Sequence, residues 1–92
     1  MEIDTTSLTI TKVLGDQEIR LGLTQACYRQ IERLEPQIKA FITVIPPSTA
    51  LAEVRSAQGK LSGIPIAVKD LYETAGVRTT AGSLFFKDYI PD

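Results

Sequence analysis

The sequence predicts an α/β fold made of about three helices and two buried strands. Three observations support this prediction. Apolar residues recur at helical spacing between residues 17 and 36, two short β-branched runs occupy residues 40–45 and 63–68, and a helical segment separates these runs. Two strands do not complete a sheet, so both runs are expected to need partner strands that this chain does not contain.

The first and third helices are predicted from their boundaries. The first covers residues 8–14 and ends at Gly15, whereas the third carries the apolar residues of segment 50–57 and ends at Gly59. The expected N-caps are Thr6 or Ser7 for the first helix and Ser48 or Thr49 for the third. A hydroxyl at the N-cap accepts a hydrogen bond from a free amide of the first helical turn.

The second helix has the strongest pattern in the chain. It begins at Gln17, and Pro36 is expected to end it because proline has no amide hydrogen to donate. One apolar stripe runs along it, formed by Ile19, Leu23, Cys27, Ile31 and Leu34. Gly22 costs this helix about 1 kcal/mol relative to alanine, which indicates that another element lies close to it.

The second apolar run ends at the charged pair Lys69-Asp70. A buried strand is therefore expected to present polar groups where it leaves the core. The small and polar residues 74–83 are expected to form a loop, in which Ser83 caps a short helix over residues 84–86. We expect Asp70 to accept hydrogen bonds from amides of this loop.

Composition excludes several classes of function. Ten basic and eleven acidic residues are scattered along the chain, so neither nucleic acid nor a membrane is a predicted partner. The absence of histidine excludes Ser-His-Asp and Cys-His catalysis, and we predict no metal and no cofactor because no zinc or phosphate-binding motif is present. The lone Cys27 and the lack of a basic and apolar leader predict a cytoplasmic protein.

The segment from residue 61 to 70 reads Leu-Ser-Gly-Ile-Pro-Ile-Ala-Val-Lys-Asp. It resembles the amidase-signature family, whose members carry a nearly identical Gly-Ile-Pro-Ile-Ala-Val-Lys-Asp segment. Residues 28–36 and 40–44 resemble the family's amino-terminal helix and first strand, and residues 74–83 resemble the loop after its lysine. A similarity that extends over roughly residues 18–92 is far more specific than one short motif.

The resemblance implies an incomplete amino-terminal fragment of the family's mixed-sheet fold. Residues 1–92 are expected to belong to a single amidase domain, with residues 1–17 as a poorly matched lead-in. Two features of the sequence depart from the family pattern. Ser62 stands where many members have histidine, and the connection from the third helix to Gly63 is shorter than usual.

The resemblance also implies that Lys69 is the catalytic lysine of an enzyme that cleaves carboxamide C–N bonds. In this family the lysine works with two serines, one after a cis peptide bond and one the nucleophile, both further along the chain. Lysine accepts a proton only when neutral, a state that burial or a nearby positive charge favours. The 92 residues are expected to be inactive alone because both serines are missing.

Two other functional interpretations stay open. The amidase subunit of an aminoacyl-tRNA amidotransferase uses the same chemistry to free ammonia from glutamine. A non-catalytic α/β module, in contrast, would bind a partner through strand edges and a surface at Phe85-Phe86. The expected partners are a small carboxamide in the intact enzyme and, for the fragment, a second copy or the missing C-terminal part.

Several side chains have a structural interpretation beside a functional one. Serine and threonine hydroxyls in a glycine-rich loop more often bond to their own backbone than to a substrate, and we expect this of Thr79, Thr80 and Ser83. Ser83 is a residue type that can act as a nucleophile, but nothing else in the sequence supports that role. Phe85 and Phe86 are expected in the core, with an exposed patch as the alternative in a fragment.

Overall fold

A computed structural model of the chain describes residues 3–92. Its regular structure consists of the helices α1 (Ile10–Leu14), α2 (Gln17–Ile38) and α3 (Pro47–Ser56), with single 3-10 turns at Thr5–Ser7 and Leu84–Phe86. The three helices lie where the hydrophobic pattern predicted them. The short helical turn predicted after Ser83 is also present.

The prediction of an α/β fold with two buried strands is wrong. Within the described part of the chain there is no strand, and the β-type pairing consists of one isolated bridge between Thr74 and Val77. The apolar side chains of the two predicted strands are largely exposed; these are Phe41, Ile42, Val44, Ile66 and Val68. Residues 40–45 and 63–68 are therefore neither paired in a sheet nor buried.

The physical reason lies in the hydrogen bonds that a strand requires. A buried extended segment needs a neighbouring strand for its amides, and a two-stranded ribbon is marginal in water. The start of the second run also lies in consecutive turns, since the Ser62 amide donates to the carbonyl of Gly59 and the Ile64 amide to that of Leu61. High β-propensity therefore produced no strand without partner strands.

The predicted N-caps of α1 are wrong, because the preceding turn uses those residues. Thr6 lies in the 3-10 turn, whose N-cap Asp4 accepts hydrogen bonds from the amide and the hydroxyl of Thr6. Thr9 caps α1 instead, and its hydroxyl oxygen accepts a hydrogen bond from the Lys12 amide at 3.3 Å. The predicted end of this helix at Gly15 is confirmed.

The predicted caps of α3 are also wrong. The helix begins at Pro47, and the carbonyl of Pro46 accepts hydrogen bonds from the amides of Thr49 and Ala50. Proline suits the first helical turn because its φ is fixed near the helical value and its missing amide is not needed there. The helix ends at Ala57 rather than at the predicted glycine.

The long helix α2 begins at Gln17, as predicted, but continues past Pro36. Its N-cap Asp16 accepts a hydrogen bond from the Glu18 amide at 2.8 Å. At the other end Lys39 adopts a left-handed conformation, and its amide donates to the carbonyl of Glu35 at 2.9 Å. A proline removes one helical hydrogen bond, and here the helix ends only two residues later.

The chain divides into two compact units. The helical unit contains residues 3–39 and 46–65, and the loop unit contains residues 40–45 and 66–92. In the helical unit, α2 packs against both α1 and α3. Its buried apolar side chains are Val13, Ala26 and Val54. The five residues of the apolar stripe on α2 are half-buried, because the two short helices cover that stripe only in part.

Two close approaches involve α2. The side chain of Ile3 occupies the space that a Cβ on Gly22 would need, which confirms the predicted close approach at this glycine. The Arg20 guanidinium donates hydrogen bonds to the carbonyls of Val13 and Leu14, at 3.2 and 2.6 Å. These carbonyls belong to the end of α1, where a helix leaves its last acceptors unpaired.

The loop unit has a different interior. Its buried residues are Thr79, Thr80 and Pro91. Backbone hydrogen bonds connect its segments: the Gly76 amide donates to the carbonyl of Pro91, and the Thr79 amide to that of Tyr89, both at 2.9 Å. This unit is therefore held together mainly by hydrogen bonds rather than by apolar packing.

Candidate functional site

Lys69 lies in the loop unit, and its side chain is exposed to solvent. Its carbonyl accepts a hydrogen bond from the amide of Tyr72 at 3.1 Å, so that residues 69–72 form a turn. The expected position of Lys69 at the exit of a buried strand is therefore wrong. Its catalytic role, in contrast, stays a prediction.

The residue after Lys69 is fixed by hydrogen bonds from the loop at residues 80–82. The Asp70 carboxylate accepts hydrogen bonds from the Thr80 amide at 2.9 Å, from the Thr80 hydroxyl, and from the Gly82 amide at 3.4 Å. The Asp70 carbonyl also accepts a hydrogen bond from the amide of Ala81 at 2.7 Å. The predicted hydrogen bonds from loop amides to Asp70 are confirmed.

These contacts hold the pKa of the Asp70 carboxyl below its ordinary value of 3.8. The Thr80 hydroxyl has the largest effect and the Thr80 amide the next, with smaller effects in the same direction from the Gly82 amide and the charge of Arg78. Partial desolvation acts in the opposite direction. Hydrogen bonds to the charged form outweigh this cost, so Asp70 is a fixed anionic acceptor at neutral pH.

The loop hydroxyls form local contacts. The Thr79 hydroxyl donates to the carbonyl of Val77 at 3.0 Å, and the Ser83 oxygen accepts from the Phe85 amide at 3.1 Å. Ser83 is thus the N-cap that the sequence predicts. Thr80 differs, because its hydroxyl bonds to the carboxylate of Asp70, ten residues earlier. Sequence reasoning missed this pair, since no short-range motif connects the two positions.

The expected core position of the two phenylalanines is wrong, and the alternative of an exposed patch is confirmed. Leu84 and Phe85 are each 86% exposed. The ring of Phe86 meets those of Phe85 and Tyr89 edge to face, with ring centres 4.9 and 6.0 Å apart. The Tyr89 hydroxyl donates to Glu73 at 2.9 Å, which raises the pKa of Tyr89.

The described residues offer few other candidates for a reactive side chain, a metal site or a membrane span. Cys27 is half-buried on α2, and burial raises the pKa of its thiol. Within residues 3–92 no three histidine, cysteine, aspartate or glutamate side chains lie together as a potential metal site. None of the helices in this part of the chain is both long enough and apolar enough to cross a membrane.

Comparison with known proteins defines the class to which this arrangement belongs. The Amidase family matches residues 22–92, which include Lys69, Asp70 and the loop bonded to Asp70. The matched region covers more than half of the chain, and the chain therefore belongs to the amidase family. The membership predicted from the segment at residues 61–70 is confirmed.

Three relatives from different organisms show how similar the chain is to known proteins. A glutamyl-tRNA(Gln) amidotransferase subunit from Dehalococcoides mccartyi is 43% identical over 100 residues, covering 96% of this chain and 20% of the relative. The corresponding subunit from Sulfurisphaera tokodaii is 47% identical over 68 residues, which cover 70% of this chain and 14% of the relative. A Mycobacterium bovis protein is 42% identical over 78 residues, which cover 75% of this chain and 16% of the relative. Its name provisionally describes it as the amidase AmiD.

The chain spans about a fifth of the length of the D. mccartyi relative, and less of the other two. The D. mccartyi alignment runs over 100 positions, more than the 92 residues of this chain, so the relative carries additional residues within the matched region. No solved structure matches the chain.

Proposed function

We propose that this chain supplies the lysine-bearing, amino-terminal segment of an amidase that cleaves carboxamide C–N bonds. The observation that carries the proposal is the position of Lys69 in the Gly-Ile-Pro-Ile-Ala-Val-Lys-Asp segment, inside the part of the chain that matches the family. The hydrogen bonds that fix Asp70 support it further, because they restrain the backbone directly after the lysine.

In this proposal Lys69 is the general base and then the general acid. A serine hydroxyl attacks the amide carbonyl after the neutral lysine amine has removed its proton through a second serine, and the same proton is then delivered to the leaving amine. The two serines come from polypeptide beyond these 92 residues. Because those two serines are not among the 92 residues, we expect no turnover by the chain alone.

The test measures ammonia release from a simple carboxamide, first by the 92-residue chain and then by a chimera. The chimera carries this chain in place of the fifth of the D. mccartyi relative that matches it. We expect release by the chimera only, and its loss in both Lys69→Ala and Lys69→Arg. Arginine keeps the positive charge but does not act as a base at neutral pH.

Two results would overturn the proposal. One is ammonia release by the 92-residue chain alone that Lys69→Ala abolishes, since the serines would then be unnecessary. The other is an active chimera whose rate is unchanged by Lys69→Arg.

A second candidate is the glutamine-hydrolysing amidase subunit of an aminoacyl-tRNA amidotransferase. The names of the D. mccartyi and S. tokodaii relatives favour it, whereas the name of the M. bovis relative favours a general amidase. Comparing ammonia release from glutamine and from simple carboxamides, in the full-length protein that contains this sequence, separates the two. A strong preference for glutamine supports the amidotransferase interpretation.

A non-catalytic binding module is the third candidate, and the exposure of Leu84 and Phe85 favours it. It predicts that the 92-residue chain associates tightly through the 3-10 turn Leu84–Phe86. Sedimentation analysis of the chain and of Phe85→Asp tests this interpretation. A monomeric wild-type chain that folds cooperatively counts against it.

A further inference from the structure

Three consecutive backbone amides of the loop unit converge on Asp70, the residue directly after Lys69. The amides of Thr80 and Gly82 donate to its carboxylate, at 2.9 and 3.4 Å. The intervening Ala81 amide donates to its carbonyl at 2.7 Å. The Thr80 hydroxyl adds a fourth hydrogen bond, again to the carboxylate. The loop therefore restrains Asp70 through both its side chain and its main chain.

This convergence requires an uncommon backbone conformation in the loop. Ala81 has φ 51° and Gly82 has φ 70°, so two successive residues lie in the left-handed region. Glycine adopts this conformation freely, whereas alanine is strained there because its Cβ approaches a carbonyl oxygen. Strained residues persist only where surrounding contacts hold them, and they cluster at functional sites. The hydrogen bonds to Asp70 are contacts of this kind.

Thr80 is the central member of the cluster. It is 3% exposed and supplies two of the four hydrogen bonds to Asp70. Its hydroxyl oxygen also accepts a hydrogen bond from the Gly82 amide at 3.1 Å, which directs the hydroxyl hydrogen toward the carboxylate. Thr79 is similarly buried, at 6% exposed, but its hydroxyl donates to the nearby carbonyl of Val77. The two neighbouring threonines thus differ in what their hydroxyls hold.

We propose that Thr80 is a positioning residue of the amidase reaction, which acts through Asp70 to fix the backbone that carries Lys69. The inference rests on the proposed function and deepens it, because it names a residue outside the lysine-bearing segment on which the general base depends. A base must lie within hydrogen-bond reach of the proton that it removes, and a misplacement of about 1 Å costs about a hundredfold in rate.

The experiment uses the chimera that carries this chain in place of the matching fifth of the D. mccartyi relative. Thr80→Val removes the hydroxyl but keeps the shape of the side chain and the backbone amide, whereas Thr80→Ser keeps the hydroxyl. We expect Thr80→Val to lower kcat for ammonia release by about tenfold or more with KM unchanged. Thr80→Ser is expected to retain most of the wild-type kcat.

Thr79→Val is the matched control, because it makes the same change at the adjacent buried threonine. Its kcat is expected to stay close to that of the wild type. Hydrogen exchange measured by mass spectrometry gives a second readout that does not require activity. Exchange at residues 69–72 is expected to accelerate by about tenfold in Thr80→Val, and in neither Thr80→Ser nor Thr79→Val. Exchange in the middle of α2 verifies that each variant is folded.

A pair of substitutions tests whether Thr80 acts through Asp70. In Asp70→Ala the Thr80 hydroxyl has lost the carboxylate that it holds. Adding Thr80→Val to Asp70→Ala is therefore expected to lower kcat little further, since substitutions that break one shared contact are not additive. Fully additive losses would show that Thr80 acts independently of Asp70, and they overturn the proposal.

Three other results also overturn it. One is a kcat that Thr80→Val leaves unchanged. Another is a raised KM at constant kcat, which assigns Thr80 to substrate binding. The third is an equal loss of kcat in Thr79→Val and Thr80→Val, which reduces the effect to general packing of the loop.

The inference and the proposed function can fail separately. A chimera that requires Lys69 but is indifferent to Thr80→Val supports the proposed function and overturns the inference. An inactive chimera counts against the proposed function. Faster exchange at residues 69–72 in its Thr80→Val variant still supports the restraint of Lys69 by Thr80, whereas unchanged exchange overturns the inference as well.

Discussion

The helical unit and the loop unit are held together in different ways. In the helical unit the buried residues include Val13, Ala26 and Val54, which lie on three helices that satisfy their own backbone hydrogen bonds. In the loop unit the buried residues include Thr79 and Thr80, and the contacts are hydrogen bonds between distant loop positions. Apolar burial therefore stabilises one unit, whereas polar contacts define the other.

This difference explains where the candidate site is found. The helical unit buries or half-buries many of its apolar side chains. The loop unit leaves most of its large apolar side chains exposed, among them Ile66, Val68 and Phe85, and it contains Lys69. A small unit with few buried apolar residues gains little stability from burial. The part of the chain that carries the predicted chemistry is thus the part that depends most on additional contacts.

The largest predicted effect comes from placing a charge in the core of the helical unit. Val54 is 8% exposed, and Val54→Asp is expected to destabilise this unit by more than about 3 kcal/mol, because an unpaired carboxylate loses its hydration there. Val68→Asp is the matched control in the loop unit, at a 52% exposed valine, and its expected effect is below about 0.5 kcal/mol. Urea unfolding followed by circular dichroism measures both; equal destabilisation would contradict the difference between the units.

A smaller effect is expected from adding a methyl group at a glycine. Gly63 has φ +79°, and a Cβ there would lie 2.7 Å from Cδ of Arg20, whereas Gly76 has φ +74° and open space around it. Both alanine variants strain the backbone by about 1 kcal/mol. Gly63→Ala is expected to cost about 1–2 kcal/mol more, because Arg20 must move. Similar unfolding midpoints would show that the contact with Arg20 is not restrictive.

Removing the charge of Asp70 is expected to affect the loop unit alone. Asp70→Asn keeps the shape of the side chain but weakens the hydrogen bonds from Thr80 and Gly82. Hydrogen exchange at the amides of residues 80–82 is expected to accelerate by about tenfold, the size of one lost charge-assisted hydrogen bond. Amides in α2 serve as the internal control and are expected to exchange as before. A uniform change in both units would contradict a local role for Asp70.

The smallest effect is a dependence on acid pH. The pKa of Asp70 is lowered in the folded chain, so its contribution to stability is present above the ordinary value of 3.8 and is lost as pH falls through the lower folded value. Amide signals of residues 80–82 are therefore expected to change only once the pH falls below the ordinary value of 3.8, while signals from the middle of α2 persist. The change should be absent in Asp70→Asn. If the signals still change with pH in Asp70→Asn, another carboxyl group causes the change.

Much of the helical structure was predictable because its determinants are local. Gly15 ends α1, Gln17 begins α2 and Ser83 caps the last turn, as the sequence predicts. The errors at helix boundaries involve residues with competing roles. Thr6 hydrogen-bonds to Asp4 instead of capping α1, and Pro36 lies close enough to the end of α2 to be tolerated.

The candidate site was predictable only in part. The sequence predicted the acceptor role of Asp70, which the hydrogen bonds from the Thr80 and Gly82 amides confirm, and it proposed Lys69 as the catalytic lysine, which stays a prediction. It did not identify the bond between Asp70 and the Thr80 hydroxyl, since ten residues separate the two positions and no motif relates them. It also did not reveal that Lys69 is exposed, because exposure depends on which segments cover the lysine.

By itself the sequence determined the family and the three helices, whereas the role of Lys69 as a base stays a prediction. Tertiary structure alone decided that residues 40–45 and 66–68 form no strand and are largely exposed, and that Asp70 is held by Thr80. The physical reason is the range over which each element finds its hydrogen-bond partners. A helix bonds to residues four positions away, whereas a strand requires a partner strand and a loop carboxylate requires donors from a distant segment.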